Sequence, residues 1–324
     1  RINFDTTKKW QLSQQGSLVT GVTADREKYE EIVDRSHEVT RDSLGLYTSY
    51  SHDFSDKFSA VFGMRAQFVK GNKADSAKNA YLPQLQTLYK IDDQTSWYTN
   101  IGKSFEMPAI NSMYSRKGTS RNDNLKPQEG WSYETGIKRV TDTSSFKAAI
   151  FTMQMDNKFA WRTYKELGLT PPPGAKPDDY IQINLGEFRN TGLEVEYTQK
   201  VGKAWHYNVG FTVQNPEAKD AGVWAQQSSR WQMTTGVQYG IGKFHSSLNL
   251  FWAGDREDAS KKIAGKYHPM RDKMELNAVL SYTPDNYSSF KLNLYNLLNR
   301  ENVINTSENL TRPFNWSMTY TCAF

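Results

Sequence analysis

The feature that most constrains this chain is a two-residue alternation of apolar and polar side chains, repeated along most of its 324 residues. The last ten residues, NWSMTYTCAF, show it plainly: Trp316, Met318, Tyr320, Cys322 and Phe324 alternate with small or polar neighbours. In TGLEVEY, Leu193, Val195 and Tyr197 oppose Gly192, Glu194 and Glu196. HYNVGFTVQ and KFHSSLNLFW repeat the pattern through Tyr207, Val209, Phe211 and Val213, then Phe244, Leu248, Leu250 and Trp252. A period of two places alternate residues on opposite faces of a strand, so each strand has one apolar and one wet face.

Alternation alone fits either a soluble sandwich or a membrane wall, and the connections separate them. Short polar turns occur near Ser55, Asp92, Thr141, Gly202, Gly242 and Asp285. Long polar connections lie between them, at residues 24–43, 70–80, 105–127, 157–182, 215–230, 254–272 and 298–313. Strict alternation of short and long loops puts every long one at the same end. That is the loop pattern of an outer-membrane barrel, with short periplasmic turns and long extracellular loops. By this count the chain holds roughly fourteen or fifteen spanning strands of about ten residues. The long loop before Phe314 makes the last strand run inward, ending at the periplasmic rim.

Composition agrees. Aromatics make up 13% of residues (Trp 9, Tyr 18, Phe 16) against only 37% hydrophobic content, a balance suited to a wall that is apolar on one side only. There is no apolar run long enough for a transmembrane helix, which says nothing against strands. Cys322 is the single cysteine, so neither an intrachain disulfide nor a thiolate cluster is expected. The net charge of +5 is dispersed, with no basic aromatic-laced patch for nucleic acid.

Four stretches carry a resemblance. GKSFEMPAINSMYS (102–115) keeps Gly102, Phe105, Pro108 and Tyr114 of a strand-end motif, and NDNLKPQEGWSYETGIKR (122–139) keeps Asn124, Leu125, Lys126, Pro127, Tyr133, Glu134, Gly136 and Lys138 of a second. NLGEFRNTGLEVEY (184–197) and NLYNLLNRENV (293–303) follow in order. Together they resemble TonB-dependent outer-membrane receptors of the siderophore type. The departures, Phe105-Glu106-Met107-Pro108 and Asn122-Asp123-Asn124-Leu125, bear on cargo more than on fold. The resemblance implies an all-β, antiparallel up-and-down transmembrane barrel of about 22 strands with a plugged lumen. Residues 1–324 are then read as a single domain, the C-terminal part of that barrel, with plug, TonB box and first strands absent from this chain. It further implies residence in the outer membrane of a diderm bacterium. The expected partners are membrane lipid and lipopolysaccharide, the barrel-assembly machinery and, through the plug, the TonB–ExbB–ExbD complex. Trp316, Met318, Tyr320 and the terminal Phe324 would form the assembly signal.

No nucleophile elbow, P-loop, HExxH or EF-hand pattern occurs, so no enzyme, metal site or intrinsic cofactor is expected. Asp92-Asp93 and Asp178-Asp179 read as solvated turn carboxylates. Of the histidines, His206 and His245 fall on strands, facing lumen or rim; His37 and His52 suggest no ligand role. A haem receptor of the family would carry a histidine between Phe105 and Leu125, and none is present. Pro108, Pro127, Gly136 and Gly192 read as architecture.

Recognition is expected on the long loops, three of which mix aromatics with cations. The first holds Tyr114, Arg116, Lys117 and Arg121; the second Trp161, Arg162, Tyr164, Lys165 and Tyr180; the third Lys266, Tyr267, His268 and Arg271. Trp224 stands apart. The cargo implied is a ferric siderophore or other iron complex, imported with TonB-supplied energy. A passive porin and a surface β-sandwich adhesin are the alternatives.

Overall fold

A computed structural model describes residues 1–30, 38–72, 78–114, 122–220, 222–263, 266–304 and 310–323. The alternating segments form β1 (Ile2–Gln11), β2 (Gly16–Glu30), β3 (Glu38–Asp53), β4 (Phe58–Gly71), β5 (Lys78–Lys90) and β6 (Thr95–Glu106). A one-turn helix, α1 (Ile110–Tyr114), precedes β7 (Gln128–Val140) and β8 (Ser144–Asp156). The wall resumes with β11 (Glu187–Val201), β12 (Trp205–Gln214), β15 (Trp231–Ile241), β16 (Phe244–Gly254), β19 (Lys273–Tyr282), β20 (Ser288–Tyr295) and β21 (Asn315–Cys322). Three long connections each contain a hairpin: β9 (Phe159–Thr163) with β10 (Tyr180–Asn184), β13 (Glu217–Asp220) with β14 (Val223–Gln226), and β17 (Arg256–Ile263) with β18 (Lys266–Met270).

The wall is one antiparallel meander. Each long strand pairs with the previous and the next, from β1–β2 through β20–β21. The 17-stranded sheet consists of fifteen such strands plus β13 and β14, which extend it upward beside β11. The only other sheets among the described residues are the two-stranded loop hairpins β9–β10 and β17–β18, so the sandwich alternative is not the architecture that forms. Strands also run further than the loop boundaries read from sequence. Residues 25–30 and 38–43 continue the β2–β3 ladder instead of forming loop. Apart from Tyr29 and the buried Val39 their side chains are polar, but the backbone ladder needs only paired N–H and C=O groups and persists beyond an apolar band.

Register fixes the faces. Leu193 and Val195 lie between Ile150 and Ala148 on one side and Val213 and Phe211 on the other, a continuous apolar outer face. Seven of the nine tryptophans sit on this face in two rows. Trp10, Trp97 and Trp205 lie at strand ends beside short turns; Trp131, Trp231, Trp252 and Trp316 lie at the ends beside long connections. Tyr239, Phe244, Tyr282 and Phe290 thicken the lower row, with Phe244–Tyr282 ring centroids 4.5 Å apart. From Trp231 to Tyr239 a tilted strand rises roughly 20 Å, close to the band height of outer-membrane barrels. These large apolar side chains are exposed on the chain itself, Trp97 at 51% and Leu280 at 48%. Such exposure is the expected condition of a lipid-facing surface and a liability in water.

Candidate ligand-binding site

The inner face is built from the other parity. At mid-wall Glu134, Glu194 and Glu196 project from β7 and β11. Tyr98 donates to Glu134 (2.7 Å), and Lys147 lies 3.9 Å from Glu134 and 3.7 Å from Glu194. Lys138 shares this face directly across from Lys147, so the strip carries both signs of charge. His206 and His245 also lie on this face, in register with Gln238 and Gly240.

Higher up, large apolar side chains interrupt the wet face. Phe151, Met153 and Met155 of β8, Phe188 of β11 and Phe251 of β16 all have inner parity. Of these, Phe188 lies under Lys158 and Phe251 lines a cavity with Arg256. Val39, Met113 and Leu125 form a buried cluster with Ile110 and Phe159 packed on it. This draws α1 and residues 122–127 over the inner side of β3. Pro108 is fully buried, and its carbonyl accepts from Arg41 Nη1 (2.6 Å), a guanidinium that also pairs with Glu27 (2.5 Å).

The second and third family-like motifs prove to be one fastening. Asn122 donates its amide to the Gln182 carbonyl (2.9 Å). Asn184 accepts from the Lys126 backbone N–H (2.8 Å) and donates to the Lys126 and Asn157 carbonyls (2.9 and 2.7 Å). The β9–β10 hairpin is thereby held to the 122–128 segment. The fourth motif works similarly. Asn302, 1% exposed, accepts from the Met274 N–H (2.9 Å) and donates to its carbonyl (2.8 Å), so a side-chain amide stands in for a strand partner. Asn296 and Asn299 take positive φ (51° and 47°), a region that asparagine tolerates well.

The residues expected to bind ligand fall into distinct places. Trp161 and Tyr180 share one face of β9–β10 at diagonal positions, since Trp161 pairs with Gln182 and Tyr180 with Thr163; both are exposed (47% and 59%). Arg162 takes the opposite parity. Tyr164 is buried, and burial together with Asp179 raises its phenol pKa, so it supports the hairpin from within. Trp224 lies against Arg189 (4.0 Å to the ring centroid), which pairs with Glu217. Arg189 has outer parity, so Trp224 stands on the outside of the wall, away from the lumen. His268 is exposed with Nδ1 on the Pro269 carbonyl (2.8 Å). Arg271 is exposed and offers its own carbonyl to Arg256 (3.2 Å). Tyr114 ends α1 in the roof, and Tyr267 lies on β18. Arg116, Lys117, Arg121 and Phe324 lie outside the described residues. Trp316, Met318 and Tyr320 face outward on β21.

The sequence reading passed over Arg256, Lys273 and Phe251. They line a cavity of about 310 Å³ at the top of the inner face, with Ser229, Glu257 and Ile304. A signal was available: Phe251 breaks the polar row His245, Ser247, Asn249.

Comparison with known proteins follows the same outline. Residues 2–297 match the family model described as TonB dependent receptor-like, beta-barrel. The vitamin B12 transporter BtuB of Photobacterium profundum is 25% identical over 205 residues, 61% of this chain and 30% of that protein. BtuB of Vibrio vulnificus is 23% identical over 175 residues, 54% of this chain and 26% of that protein. Among solved structures, the FrpB iron transporter from Neisseria meningitidis (F5-1 variant, apoprotein form) superposes with a TM-score of 0.77 at 13% identity, covering 98% of this chain and 55% of that one. The copper transporter OprC gives 0.76 at 12% identity, covering 99% and 56%. The ferric-catecholate import receptor Fiu from K12 E. coli gives 0.72 at 18%, covering 99% and 54%. The chain thus spans about half the length of these structures, and the likeness is one of fold. With a single antiparallel wall, an outward apolar band and a family match over nearly its whole length, the chain belongs to the TonB-dependent receptor-like β-barrel family.

Proposed function

We propose that this chain is the barrel part of an outer-membrane receptor that captures a scarce iron complex outside the cell and passes it to the periplasm with energy supplied through TonB–ExbB–ExbD. The observation that carries this reading is the roof. The long connections fold inward over the wet face and are fastened there by Arg41, Asn122 and Asn184. A receptor needs convergent groups held in place. Trp161 and Tyr180 offer flat faces for stacking, and Tyr114, Tyr267, His268 and Arg271 belong to the same extracellular end. Arg116, Lys117 and Arg121 are proposed with them from the sequence alone. The charged and polar strip around Glu134 and Lys147 suits a polar surface of an inserted plug. Trp316, Met318, Tyr320 and Phe324 fit an address read by the barrel-assembly machinery, and the outward cations would meet lipopolysaccharide. Residues 1–324 form one domain in this reading, in a diderm outer membrane, with no intrinsic cofactor.

The test is uptake of radiolabelled iron chelates by iron-starved cells expressing the full-length protein. Saturable uptake that stops on adding a proton ionophore is expected. Non-saturable, energy-independent solute flux in its place would make the protein a porin.

A further inference from the structure

The cavity lined by Arg256, Lys273 and Phe251 has features that solvated loops lack. Phe251 and Lys273 both have inner parity, on β16 and β19, so the cavity opens toward the lumen. Arg256 is clamped from three sides: Nη1 donates to the Arg271 and Val303 carbonyls (3.2 and 2.9 Å), and Nη2 donates to the Ile304 carbonyl. A guanidinium carries five N–H donors in a rigid fork. The clamp therefore fixes the fork while leaving two donors unused by any described residue. No carboxylate lies within ion-pair distance of Arg256 among the described residues. Burial lowers its pKa, and the more distant charge of Asp272 opposes that shift only in part, so the cation is held at a desolvation cost. Lys273 sits over the Phe251 ring (5.4 Å to the centroid) and 3.1 Å from Glu275. Glu257 adds an acceptor and Ser229 a hydroxyl.

A fixed, half-buried fork with spare donors is preorganised for a planar anion. An aromatic face beside it suits a flat ring, and a volume of about 310 Å³ admits one ring with its substituents. We propose that this cavity is a cargo subsite that takes an arm bearing anionic oxygens on a flat ring, with Arg256 and Lys273 on the oxygens and Phe251 against the ring. Glu257 then accepts from a hydroxyl or amide N–H on the same arm. The inference rests on the iron-complex reading above and sharpens it: the cargo is an anionic aryl-oxygen chelate, and neither a neutral chelate nor a corrinoid.

The experiment measures binding of three probes to the full-length receptor in detergent: a ferric tricatecholate, neutral ferrichrome and cyanocobalamin. Wild type, Arg256→Gln and Lys273→Gln are compared. Lys273→Gln leaves the carbonyl clamp untouched, and folding of each variant is checked by gel migration without heating. The wild type is expected to prefer the tricatecholate. Each variant should weaken that complex by about tenfold or more, as for loss of a charge-assisted contact, with the barrel still folded. Tricatecholate affinity unchanged in both folded variants would overturn the subsite. Wild-type binding of ferrichrome or cyanocobalamin alone would overturn it too; with ferrichrome the iron-uptake reading stands, and with cyanocobalamin it falls. Binding of none of the three would sink both.

Discussion

Lys158 shows how much a single side chain's surroundings decide. It follows Asn157, which takes a positive φ of 57° to turn the chain out of β8. Its ammonium lies over the Phe188 ring, 4.1 Å from the centroid. Burial lowers its pKa from the ordinary 10.5, and no described carboxylate pairs with it. The folded protein therefore binds fewer protons here than the unfolded chain in the window just below pH 10.5. Stability should rise as pH climbs through that window. Lys158→Met should flatten the rise and lift the apparent Tm near neutrality by a few degrees, read by thermal unfolding in detergent at several pH values. Identical pH slopes in mutant and wild type would show that the ammonium is not destabilised. Nothing in the local sequence signals this arrangement, because a lysine two residues past a strand is indistinguishable from any solvated loop cation.

At the scale of elements, the wall strands were legible and the loop hairpins were not. Strands such as β12 and β15 keep a strict period over ten or eleven residues, set by the need to face lipid on one side. The hairpin strands β9 and β10 have five residues each, FAWRT and YIQIN, separated by a segment rich in proline. Five residues fix no period, and the hairpin is held to its surroundings by side-chain amides. Asn184 is the clearest case, since it supplies three hydrogen bonds between hairpin, β8 end and the 122–128 segment. Asn184→Ala should cost roughly 2–3 kcal/mol locally, at about 1 kcal/mol per neutral bond. The barrel should still migrate as folded, while protease cleavage between residues 164 and 180 speeds up. Unchanged cleavage would mean that the hairpin is held by packing alone. Trp224 illustrates the complementary failure: an aromatic in a long loop is as readily placed outside the wall as inside, and only the β11–β13 register decides.

For the whole molecule, the decisive assignment is which face meets lipid. Leu250 lies between Thr235 and Leu276 on the outer face, midway between the tryptophan rows; its neighbour Asn249 points inward. Leu250→Arg should cost about 2–4 kcal/mol at mid-membrane and deplete the folded form in outer-membrane fractions. Asn249→Arg, a charge of the same size one residue away, should assemble near wild-type levels. Equal damage from both would contradict a one-sided wall. The alternation made this division readable residue by residue, because lipid imposes it on every strand. The cavity around Arg256 is not readable in this way, since no period links Arg256 to the carbonyls that clamp it. The same separation shapes descent. The β9–β10 and β17–β18 hairpins form their own two-stranded sheets and share no rung with the wall. Substitutions accumulating there leave every register of the barrel intact, so these hairpins are free to diverge while the membrane scaffold is inherited unchanged.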